Sequence, residues 1–164
     1  MGVVVKRRVP QSGDEWVHCA VRYLARFDRT AAQVERFLTR KGASSTQTKQ
    51  VINRLSTLRY LDDRGYATRW IEATIARRPM GLEGLKRELL TRGLSEGLAD
   101  EVIDGALQDV DEHTLARRAL QIHWRNRRRV SPRQAASFLR QRGFAEETIE
   151  RIIGDYTETE GRES

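Results

Sequence analysis

The sequence is short of the residues that build stapled, membrane-bound or catalytic proteins. It holds one cysteine, Cys19, and a lone thiol cannot cross-link a fold. Cys19 sits in an apolar helical pattern and reads as a small buried hydrophobe, as expected of a cytoplasmic protein in a reducing compartment. No run approaches the ~20 apolar residues that cross a bilayer, so no membrane association is expected. The three histidines, His18, His113 and His123, lie at no metal-ligand spacing with one another or with Cys19. There is no G-x-x-x-x-G-K-[ST] phosphate cradle. The carboxylate pairs Asp62-Asp63, Asp100-Glu101 and Glu146-Glu147 fall at or near helix starts, where capping and the helix dipole account for them. A two-metal nuclease is the alternative chemistry for such pairs. No Ser-His-Asp or Cys-His set can be assembled. A binding protein is expected, not an enzyme, with no metal or cofactor.

What the sequence has is charge, unevenly placed. The net charge is +7. Residues 1–13 carry +3, 14–61 carry +5, 62–111 carry −4 and 112–164 carry +3. From His113 to Ala145 there are nine arginines and no acid; from Gly93 to Glu112 there are seven acids and no Lys or Arg. A long acid-free block favours a polyanion surface over a merely solvated face.

Three glycines reveal a repeat. Gly42, Gly93 and Gly143 are spaced by 51 and 50 residues. Four residues before them stand Leu38, Leu89 and Leu139; nine and ten after stand Val51-Ile52, Val102-Ile103 and Ile152-Ile153. Twelve before stand Thr30, Gly81 and Ser131, acceptable helix N-caps. Thr30 with Gln33, and Ser131 with Gln134, are in capping-box register, and Pro132 suits a first helical position. Each glycine is expected to end its helix in the left-handed conformation. Three helices per unit follow: about 14–26, 31–41 and 46–60; 63–78, 82–92 and 96–109; 112–129, 132–142 and 146–156. Apolar stripes at helical spacing support them, as in Trp16, Ala20, Tyr23 and Leu24, in Tyr66, Trp70, Ile71 and Ile75, and in Leu115, Ala119, Leu120 and Trp124. The hydrophobic share of 38% is low for one round core and suits stacked units. The expectation is an all-α, elongated tandem array of three three-helix repeats, 14–61, 62–110 and 111–156. A disordered basic arm, 1–13, precedes it and a frayed tail, 157–164, follows.

The second unit carries a longer pattern: Leu61-Asp62-Asp63-Arg64-Gly65-Tyr66-Ala67, then Arg77-Arg78-Pro79-Met80-Gly81, Leu85-Lys86-Arg87-Glu88-Leu89 and Arg92-Gly93-Leu94. It resembles the RecX family of RecA regulators. The first unit is similar through Ala20-Val21-Arg22-Tyr23-Leu24, Arg29-Thr30 and Arg40-Lys41-Gly42, and the third through Leu139, Arg142-Gly143-Phe144 and Ile152. The resemblance spans roughly residues 14–156. It implies a non-catalytic protein that lodges in the groove of the RecA–DNA filament. Such a protein inhibits ATPase, strand exchange and co-protease activity, destabilises or caps filament growth, and also touches DNA. Gly65 and Gly84, each in a first helical turn, depart from good helix-forming sequence, at up to ~1 kcal/mol apiece.

The residues that carry the binding expectation are basic. In the first unit they are Arg26, Arg29, Arg40 and Lys41. In the third they are Arg125, Arg127, Arg128, Arg129, Arg133, Arg140 and Arg142, with Trp124 beside them. Guanidinium groups fork onto phosphate oxygens and stay charged. The acids Glu96, Asp100, Glu101 and Asp104 are expected to face a protein partner. The expected partners are a RecA recombinase filament and single- and double-stranded DNA, engaged by a monomer. The alternative is an independent helix-turn-helix regulator, reading bases through Gln47, Lys49, Gln50, Asn53 and Arg54. The acidic third helices of the second and third units disfavour it.

Overall fold

The computed structural model describes residues 10–125 and 130–161, with side chains through Asp155 in the last helix. Among the described residues there are nine helices and no strand. They are α1 (Gly13–Leu24), α2 (Ala31–Arg40), α3 (Ser45–Thr57), α4 (Asp63–Arg77), α5 (Leu82–Thr91), α6 (Glu96–Leu107), α7 (Glu112–His123), α8 (Pro132–Gln141) and α9 (Glu146–Gly161). Two helix ends depart from expectation. α7 stops at His123, because Trp124 leaves helical geometry (φ −110°, ψ 26°) while its N–H still reaches the Leu120 carbonyl. α9 continues to Gly161, with no Gly or Pro interrupting 155–160.

Local chemistry sets the starts and stops. Capping boxes open α2 (Thr30 with Gln33) and α8 (Ser131 with Gln134), as the spacing predicts, and also α1 (Ser12 with Glu15) and α3 (Ser44 with Gln47). Gly42, Gly93 and Gly143 all have positive φ, at 98°, 88° and 73°. After the first and last of these, Ala43 N–H reaches back to Leu38 and Phe144 N–H to Leu139, which ties off the helix end.

The described chain forms two compact units. One holds residues up to Tyr66 together with Arg92–Leu94; the other holds Ala67–Thr91 and the rest from Ser95 onward. In the first, Trp16, Ala20, Val34, Leu38, Val51 and Leu55 form a core between α1, α2 and α3. In the second, Leu115, Ala119, Leu120, Ala135, Leu139, Phe144, Ile149 and Ile152 do the same for α7, α8 and α9. Each large buried aliphatic contributes roughly 1.5–3 kcal/mol. Tyr23, Tyr66, Trp70, Ile75 and Trp124 complete their stripes only half-buried.

Side chains from one helix start satisfy the amides of another. In the first unit, Asp63, the first residue of α4, accepts from the N–H of Ala31, the first residue of α2, at 2.8 Å. The Thr30 hydroxyl donates to the Arg92 carbonyl at 2.6 Å. In the second unit, Glu112 opens α7 and accepts from Leu82 N–H at 3.0 Å and from the Thr148 hydroxyl at 2.7 Å. Asp62 accepts from the Gly65 amide at 3.0 Å, so the Asp-Asp pair is absorbed by helix starts. Arg117 and His113 both reach Asp155, at 2.6 and 3.2 Å, and tie α7 to α9.

The start of α5 runs against the Gly143 turn, backbone on backbone. Gly81 N–H donates to the Arg142 carbonyl at 3.1 Å, and a Cβ on Gly84 would stand 2.2 Å from that same oxygen. Gly84 is therefore required by close approach, whatever its helix propensity.

Gly84→Ala is expected to destabilise the protein by about 1–3 kcal/mol, since rigid backbone must shift. Gly105→Ala, in α6 where an added Cβ meets nothing within 4 Å, should stabilise it by up to ~1 kcal/mol. Urea unfolding of the two variants measures both, and equal effects would contradict the packing described. A second expectation concerns acid. Hydrogen bonds from Arg117 and His113 hold the Asp155 carboxyl below the ordinary aspartate range. A lowered folded value stabilises above the unfolded value and is lost as pH falls through it. Thermal stability should therefore fall below about pH 4, and Asp155→Asn should flatten that limb.

Candidate functional site

Two surfaces, one in each unit, combine cations with exposed rings, and both are built by the same local device. A helix places residues four apart on one face. In the first unit this sets Lys41 over the ring of Phe37, with Nζ 5.7 Å from its centroid. Phe37 stacks on Tyr23 from α1, centroids 4.0 Å apart and planes 2° from parallel. Arg29 lies over Tyr23 at 5.1 Å and over Phe27 at 5.2 Å. Phe27 is 64% exposed. Arg29, itself half-buried, is thus held by two ring faces, a contact worth about 0.5–2 kcal/mol.

In the second unit Arg142 sits over Phe138, four residues earlier, at 4.9 Å. Phe138 stacks on His123 at 4.2 Å and meets Trp124 at 5.1 Å. Trp124 packs edge-on to His123 at 4.7 Å. The corresponding positions around Gly93 hold Glu88 and Arg92, with no ring. Below the ledge lies a cavity of about 310 Å³ lined by Arg78, Pro79, Ala119, Ile122, His123, Phe138 and Arg142. Its neighbour, about 390 Å³, shares His123 and Phe138 and adds Trp124, Gln134, Ser137 and Gln141. Burial, and then the positive charge of Arg78, lower the pKa of Arg142.

The expected site residues separate under this geometry. Arg29 and Lys41 join the first ledge and Arg142 the second. Arg26, Arg40, Arg125 and Arg133 are exposed. Arg140 is drawn to Glu146 across the turn, its Nε 3.0 Å from the carboxylate. That pairing raises the arginine and lowers the glutamate pKa. Arg127, Arg128 and Arg129 lie outside the described residues. Among the acids, Glu96 and Asp100 both grip Lys86, at 2.9 and 2.8 Å, and push its pKa up. Glu101 and Asp104 are exposed on α6. Sequence reasoning passed over Phe37, Phe138, Phe27 and Arg78. The signal for the first two was present as an aromatic residue four before a cation.

Comparison with known proteins decides the family. The regulatory protein RecX of Treponema pallidum (strain Nichols) is 32% identical over 142 residues, which cover 87% of this chain and 84% of that protein. The chain belongs to the RecX family. RecX of Chlorobaculum tepidum is also 32% identical, over 82% of this chain and 83% of its own. The crystal structure of RecX from Lactobacillus salivarius matches with a TM-score of 0.68 at 21% identity, covering 87% of this chain and 95% of that one, which establishes the shared fold. No family model matches the sequence. No helix among the described residues is long and apolar enough to cross a membrane.

Proposed function

We propose that this RecX-family chain is a cytoplasmic, monomeric, non-catalytic regulator of three three-helix repeats, 14–61, 62–110 and 111–156. It binds the RecA–DNA filament and inhibits the recombinase's ATPase, strand exchange and co-protease activities. The observation that carries the reading is the pair of cation–aromatic ledges, one at Lys41–Phe37 and one at Arg142–Phe138, in a chain of this family. Fixed cations beside stacked rings suit a nucleoprotein, because phosphates supply charge and bases supply flat faces. DNA contacts run through the basic surfaces of the first and third repeats. The exposed acids of α6 face protein, where opposite charge steers association and rejects wrong partners.

The independent helix-turn-helix reading has less support. Gln47 spends its side chain on the Ser44 amide at 2.9 Å, and Arg54 is paired with Asp14. Two of the five base-reading side chains on α3 are thereby engaged within the protein.

Recombinase ATPase on single-stranded DNA, titrated with this protein, should fall at substoichiometric ratios. Unchanged turnover at one-to-one would overturn the proposal. Asp104→Lys on α6 should weaken filament binding and leave free-DNA affinity equal or higher; filament affinity at the wild-type level would remove the acidic face from the interface.

A further inference from the structure

The cavity under the second ledge has properties that a filament-binding role does not by itself require. Arg78 follows the end of α4, and Arg142 sits just before the Gly143 turn. Both line this cavity, and no carboxylate lines it with them. Among the described residues neither guanidinium is paired with an acid. Arg142 has the Phe138 ring face and a long 3.5 Å contact to the Pro79 carbonyl. Two like charges beside one partly enclosed space repel, and an anion between them removes the repulsion. The rest of the lining is the stacked His123 and Phe138 rings with the apolar Ala119, Ile122 and Pro79, and Trp124 stands in the adjoining space. Ser137 and Gln141 supply neutral hydrogen-bonding groups at its edge.

We propose that this groove is a binding site for one nucleotide step of single-stranded nucleic acid, with the phosphate between Arg78 and Arg142 and the base against the His123, Phe138 and Trp124 rings. A phosphate oxygen accepts from guanidinium N–H groups in forked geometry. Every base has a π-face, so the rings bind without regard to sequence. An acidic peptide satisfies the arginines but leaves the rings uncovered, and a double helix keeps its bases stacked away from them. The site rests on the filament-regulator reading for its biological setting, yet its chemistry is testable on the free protein.

The test uses the full chain and two labelled probes of equal length, an oligothymidylate and an abasic deoxyribose-phosphate strand. Arg78→Gln with Arg142→Gln should weaken oligothymidylate binding about tenfold or more, and lower the salt slope by about 1.4, two contacts at about 0.7 each. Phe138→Leu should weaken oligothymidylate binding and leave abasic-strand binding unchanged. Arg78 is exposed, so Arg78→Gln alone reads the charge effect if the double variant loses its fold. Wild-type affinity and slope in a folded Arg78→Gln variant would overturn the site. So would a Phe138→Leu variant that weakens both probes equally, because the rings would then only position the arginines. A double variant that binds both probes normally but no longer inhibits recombinase ATPase would assign the groove to a protein carboxylate, sinking this inference while the proposed function stands. Loss of DNA binding with ATPase inhibition retained would support the groove and separate it from the regulatory contact.

Discussion

The second unit depends on how closely two backbones meet at the start of α5. Gly81 N–H reaches the Arg142 carbonyl, and a Cβ added at Gly81 would lie 2.2 Å from the Gly143 oxygen. No side chain fits there, so the α5 start and the α8–α9 turn seat as bare peptide. That seating carries Arg78 and Pro79, which precede Gly81, to the wall where Arg142 already stands over Phe138. The groove is thus a by-product of glycine placement. The first unit meets a related demand with different chemistry. There Thr30 occupies the position that Gly81 occupies later, and its hydroxyl donates to the Arg92 carbonyl at 2.6 Å. A buried hydroxyl with an acceptor is satisfied, and without one it would cost about 1–3 kcal/mol.

Charge follows the same logic of local satisfaction. The acids of α6 begin by neutralising their own neighbour, since Glu96 and Asp100 share Lys86. Asp155 takes Arg117, and Glu146 takes Arg140. Three other cations are held by rings instead: Arg29 on Tyr23 and Phe27, Lys41 on Phe37, Arg142 on Phe138. A ring face holds a guanidinium in place without cancelling its charge, whereas a carboxylate cancels it. The ledges therefore present oriented cations that still attract an anion.

Features fixed within four or five residues were legible in the sequence, and features made by folding back were not. The positive φ of Gly42, Gly93 and Gly143, and the boxes at Thr30–Gln33 and Ser131–Gln134, need only local geometry, and the helix ends they set fall within a few residues of expectation. The end of α7 was misread because Trp124 has good helical spacing. Its ring meets Phe138 of α8, a contact no local pattern reports. The acid-free block likewise placed Arg140 among the expected polyanion contacts, although Glu146 stands one residue beyond the block and pairs with it across the turn. Gly84 looked like a weak point in a helix, since propensity counts the lost Cβ and is blind to the carbonyl lying where that Cβ would go.

One position connects the packing device to the charged surface. Ala31, Leu82 and Pro132 stand eleven residues before Gly42, Gly93 and Gly143, each at the first position of its helix. The first two have an N–H with no intrahelical partner, and each is met by an acid that opens the helix two places further along, Asp63 for Ala31 and Glu112 for Leu82. Pro132 has no N–H to satisfy. The start of α8 is complete with the Ser131–Gln134 box alone, so no carboxylate needs to be brought to it. Arg133 follows Pro132 directly and is exposed. An acid placed to satisfy an amide at 132 would stand beside that guanidinium and cancel much of its field. The proline removes the need for the acid, and the α8 start keeps its positive charge.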